Sequence, residues 1–143
     1  MRYLNLLPFL LACNSGEVLD PELISLAVDP DVAELGQEVT STVVVKNFTL
    51  AGEVGHSHDE GEDHDEDHKD GEIQTGHVHI YLDDLETNPL AMQVEAVGTF
   101  IVPEDAEIGE HVLIGRLHDS DHLIIEPQIT VEIEFDIIEV SGR

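Results

Sequence analysis

Through most of the chain, apolar side chains alternate with polar ones, the period of two expected of strands with one buried face. The clearest case is Gln128 to Val140, where Ile129, Val131, Ile133 and Phe135 alternate with Thr130, Glu132, Glu134 and Asp136. Leu23 to Val28 predicts a short strand ended at Asp29-Pro30, Gly36 marks a turn, and Glu38 to Leu50 is a long β-branched run that predicts another strand. Strands are also expected over His77 to Asp84 and His111 to His118, with a turn at Asp119 to His122. Leu90 to Val102 predicts one or two more, with Gly98 at a bulge or turn. No stretch carries a helical period.

About seven strands separated by turn signals predict an all-β domain, an immunoglobulin-like antiparallel β-sandwich over residues 23–143. Aromatic residues make up only 4% of the chain, so the core must be built from Val, Ile and Leu, and a lipocalin-like barrel fits less well. One stretch breaks the alternation. Residues 53–72 hold His56, His58, His64 and His68 among ten acidic residues and almost nothing apolar. Such a segment has no means of burying a core and is expected to be a long disordered loop.

Charge sharpens this picture. Lys and Arg number 5 against 32 Asp and Glu, a formal net charge of −27. Phosphates would be repelled, so nucleic acid is not an expected partner, and cations are the natural counterpart. Imidazole and carboxylate groups are ligands for divalent metals, and the 53–72 loop crowds both together.

In His77 to Asp84, Val78, Ile80 and Leu82 share one face and should meet the core, which leaves His77, His79 and Tyr81 on the other. A His-x-His pair on a strand puts two imidazoles within reach of one ion. Lettered in chain order as a sandwich, Glu38 to Phe48 is strand B, His77 to Asp84 strand C, His111 to His118 strand F and Gln128 to Ile138 strand G, with residues 53–72 as the B–C loop. C and F are antiparallel neighbours in that fold, so His118, Asp119 and His122 should lie beside His77 and His79 at one rim. His111 stands about 23 Å away at the other end of strand F, at ~3.3 Å per residue. There it takes the position of a tyrosine-corner tyrosine, either structural or an isolated second ligand. His with carboxylate suits Zn²⁺ first and Cu²⁺ second; Met92 is the only methionine beyond the N-terminal segment, and no EF-hand spacing is present.

The N-terminus, MRYLNLLPFLLAC, has one basic residue, a short apolar run and a small residue before the chain's only cysteine. It resembles a bacterial lipoprotein signal. The resemblance implies a signal peptide over residues 1–12, lipidation of Cys13, a tether over 13–22 and a lipid anchor in the cell envelope. In a host with an outer membrane, Asn14 points to the periplasmic side of that membrane.

The pattern Gly76-His77-x-His79-x-x-x-Asp83, followed by Gly109-x-His111-x-Leu113-x-x-x-Leu117-x-Asp119-x-x-His122, is similar to an uncharacterised family of exported bacterial domains carrying GHxHxxxD and GxHxLxxxLxDxxH. The resemblance covers about a third of the chain and implies export and a β fold. The sequence departs from the family after His122, where it reads LIIEP, and in its acidic loop. Taken together, these readings predict an exported lipoprotein that captures or buffers Zn²⁺ or Cu²⁺. The alternative is an immunoglobulin-like interaction module whose His-rich loop is incidental. No catalytic residue set is expected, because no nucleophile–base arrangement can be assembled.

Overall fold

The structure, a computed structural model, describes residues 19–52 and 73–139. Cys13, the tether up to residue 18, and loop histidines His56, His58, His64 and His68 lie outside the described residues. Nine strands are described: β1 (Glu22–Asp29), β2 (Val32–Glu34), β3 (Glu38–Lys46), β4 (Phe48–Leu50), β5 (Gln74–Leu82), β6 (Ala91–Gln93), β7 (Val97–Ile101), β8 (Gly109–Asp119) and β9 (Thr130–Ile138). No helix is present among them.

The strands form two sheets. One has the order β1-β3-β7; the other runs β2-β9-β8-β5-β4, with β6 also paired to β5. Period-two burial is plain on β3, where Val39, Ser41 and Val43 point inward and Glu38, Thr40 and Thr42 outward. Leu26, Val39, Val43 and Phe100 of the first sheet pack against Ile80, Leu113, Phe135 and Ile137 of the second. Phe100 meets Phe135 edge to face at 6.1 Å between centroids, an arrangement the ring quadrupoles favour. Ser41, the polar side chain inside this layer, donates to Gln93 Oε1 at 2.7 Å and so carries no unmet hydrogen bond.

Three expectations need correction. The long run from Glu38 to Leu50 is two strands, because Asn47 adopts a left-handed backbone (φ 54°) that sends the chain from one sheet to the other. Asparagine tolerates that conformation better than most residues. The sandwich is not wholly antiparallel, since β2 runs parallel to β9 and β4 parallel to β5. Gly98 lies within β7 rather than in a turn; the break falls just before that strand.

What matters for the site is the pairing of β5 with β8. They run antiparallel, with His77 opposite His118, His79 opposite Arg116 and Tyr81 opposite Ile114. The neighbouring rung pairs Gly76 with Asp119. A β-carbon on Gly76 would lie 2.1 Å from the His118 carbonyl oxygen and 2.8 Å from Asp119 Cα, so only glycine allows this approach. Gly76→Ala should cost on the order of 3 kcal/mol in urea denaturation, since backbone has to move to admit it. Wild-type stability in that variant would show that the close approach is not needed.

Candidate metal centre

Beyond the main core, the β5–β8 pair buries part of its other face. His77 is 1% exposed, Tyr81 3%, His118 4% and Arg116 9%. His77 is therefore not a solvated strand histidine, and His79 beside it is half-buried; an imidazole taken out of water has a cost that the local chemistry must meet.

His122 arrives from the turn after β8. Asp119 Oδ1 accepts from the backbone N–H groups of Asp121 (2.9 Å) and Leu123 (2.8 Å), closing the turn. His122 itself sits in the left-handed region (φ 63°), which aims its side chain back over β5. Its ring centroid is 4.4 Å from that of His77 and 5.8 Å from that of His79, while His77 and His79 are 4.9 Å apart.

The outcome is a triad. His77, His79 and His122 each offer a ligand atom, and these atoms lie within 4.8 Å of one another. Three nitrogens tetrahedrally placed on one ion would be about 3.3 Å apart, given metal–nitrogen bonds of ~2.05 Å. The closure needed is therefore no more than about 1.5 Å. His122, exposed and on a turn, is the ligand best placed to move. The buried Nε2 of His77 makes no hydrogen bond. These residues fit a metal of the imidazole-preferring class.

His118 and Asp119, both expected as ligands, are used differently. Asp119 holds the turn together. The Nδ1 of His118 lies 3.1 Å from the His122 carbonyl oxygen, and its Nε2 receives a hydrogen bond from Arg116 Nε at 3.1 Å. Tyr81 completes the network: its hydroxyl accepts from Arg116 Nη2 at 2.7 Å and lies 3.1 Å from His79 Nδ1. The Arg116 guanidinium also stands 4.9 Å from the Tyr81 ring centre. Sequence reasoning overlooked Arg116. The available signal was one of only 5 basic residues, placed two positions before His118 and so on its face.

Burial, followed by repulsion from His118, His77, His122 and Arg116, pulls the His79 pKa down to about 4. His118 is also lowered, by burial first and then by Arg116 and His122, against the opposing pull of the His122 carbonyl and Asp119. At neutral pH both rings are neutral, the form that ligates metal.

His111 lies at the other end of β8. Its Nδ1 is 2.7 Å from Asp83 Oδ2 and its Nε2 2.8 Å from the Glu107 carbonyl, while Asp83 Oδ1 accepts from the Val112 N–H at 2.9 Å. Both ring nitrogens are thus engaged in pinning the β5 and β8 ends together, the structural role. Burial lowers its pKa, but the Asp83 hydrogen bond, the Glu107 carbonyl and the charges of Asp83 and Glu107 outweigh this, so the net shift is upward.

The sequence matches no protein-family model and no curated protein.

Proposed function

We propose that this protein is an exported, lipid-anchored metal-binding protein that captures or buffers Zn²⁺ or Cu²⁺ at the cell envelope, with the ion as its cargo. The single observation that carries the reading is the convergence of His77, His79 and His122, with ligand atoms within 4.8 Å of one another. Three imidazoles without sulfur or carboxylate suit Zn²⁺ first and Cu²⁺ second. The exposed side of the triad, at His122, gives an ion a way in and out. In this reading the acidic, His-rich residues 53–72 act as a weaker collector that raises the local concentration of cations.

The interaction-module alternative is less well supported, because it gives no reason to bury two imidazoles beside a guanidinium. Metal analysis of protein purified without an affinity tag tests the two readings against each other. Retention of Zn²⁺ or Cu²⁺ after dialysis is expected; metal-free protein that takes up neither ion on titration would reject the proposal. Anchoring has its own test. Cys13→Ser should move the protein from the membrane to the soluble fraction, and unchanged membrane fractionation would count against lipidation.

A further inference from the structure

Four imidazoles meet at this rim, yet only three converge on one point. Proximity does not explain the exception: the His118 ring stacks on His79 with 4.1 Å between centroids, closer than any pair within the triad. Hydrogen bonding does explain it. A backbone carbonyl only accepts, so the contact between His118 Nδ1 and the His122 oxygen puts the ring proton on Nδ1. A guanidinium only donates, so Arg116 Nε–H occupies the lone pair of His118 Nε2. A neutral imidazole ligates through its one available lone pair, and in His118 that pair is taken.

We propose that Arg116 is a positioning residue that withholds His118 from the metal, holding the site at three imidazoles and leaving a fourth coordination position for an exchangeable ligand. The proposal rests on the metal-binding reading above and extends it to how the ion is held. Four protein ligands close a tetrahedral site, as in structural zinc centres, whereas three leave a position at which water, a small anion or a donor from an acceptor protein enters. A protein that captures an ion and later yields it needs the second arrangement. Arg116 also anchors Tyr81, whose hydroxyl steadies His79 through Nδ1. One buried side chain therefore orients a ligand and disables its neighbour.

Nitrogen-15 NMR of the histidine rings during Zn²⁺ titration of the wild-type protein gives the direct test. The ring nitrogens of His77, His79 and His122 should shift with the first equivalent, while His118 keeps its Nδ1–H tautomer. Removing an outer-shell partner ordinarily weakens metal binding by about 10–100-fold. Here Arg116→Met should do the reverse, tightening the first Zn²⁺ step by about tenfold as His118 becomes a fourth ligand, with the added nitrogen visible in X-ray absorption. Loss of a nearby positive charge would also tighten binding, so the double variant Arg116→Met with His118→Ala separates the two causes. It should return to about the wild-type affinity.

Three results would overturn the proposal: a His118 shift alongside the other three in wild type, no added nitrogen at the Zn²⁺ ion in Arg116→Met, or tightening that survives in the double variant. If Arg116→Met fails to fold, the wild-type NMR result decides alone. If no rim imidazole responds to Zn²⁺ or Cu²⁺, the metal-binding reading itself falls, and this inference with it.

Discussion

Replacing both His77 and His79 with alanine should remove the tightest metal-binding step seen by calorimetry at neutral pH. Two of three converging ligands disappear, so affinity should fall at least about a thousandfold, well past the 10–100-fold typical of outer-shell changes. The strand geometry is the reason for expecting so tight a step. β5 fixes both imidazoles before an ion arrives, and the Tyr81 hydroxyl holds His79 at 3.1 Å. Ordering costs that a flexible ligand would meet on binding are already met in folding. Binding to residues 53–72 should survive in the double variant as weak, multiple events. His111→Ala should behave oppositely, keeping the tight step while losing on the order of 2 kcal/mol of stability as Asp83 and the Glu107 carbonyl lose a partner. A tight step abolished by His111→Ala but retained without His77 and His79 would place the site at the wrong end of β8.

The strand pattern and the rim were legible because both follow from period-two alternation and from antiparallel pairing of two lettered strands. Val78 and Ile80 do face the core, and His77 does lie opposite His118. The motif positions also acquire physical roles. Gly76 admits the β8 backbone, Asp83 pairs with His111, Leu113 and Leu117 are 0% exposed in the core, and Asp119 caps the turn that presents His122. Spacing alone did not separate ligands from supports. Both Asp119 and His118 are metal-capable, and what spacing does not show is their hydrogen bonding: Asp119 Oδ1 accepts from the Asp121 and Leu123 N–H groups, and His118 lies between Arg116 and the His122 carbonyl. The break at Asn47 was hidden for a similar reason, since β-branched residues run up to it on one side and Phe48-Thr49-Leu50 continues the apolar pattern on the other.

The two ends of β8 should respond to pH with opposite sign. At the rim, His79 has its pKa lowered from 6.5 to about 4, so between those values the unfolded chain binds more protons than the folded one. Its contribution is complete above pH 6.5 and disappears as pH falls towards 4; His118 shifts in the same direction. For His79 this amounts to on the order of 2 kcal/mol, at 1.36 kcal/mol per unit and reduced for its partial solvent access. At the other end, His111 is raised, so its contribution is complete below 6.5 and declines as pH rises through its folded value. Asp83 is lowered: burial pulls it upward, but the hydrogen bonds from Val112 and His111 and the His111 charge prevail. Its contribution holds above 3.8 and declines as acid reaches the lower folded value. The Asp83–His111 pair is therefore strongest from about pH 4 to 6.5, where the rim is losing ground. Acidification also neutralises part of the −27 surface charge, a background common to every variant, so slopes must be compared between variants. In urea denaturation of metal-free protein between pH 7 and 4.5, His79→Asn should flatten the loss of stability relative to wild type. His111→Ala should steepen it. Equal slopes in wild type and His79→Asn would mean that His79 is not held neutral by the fold.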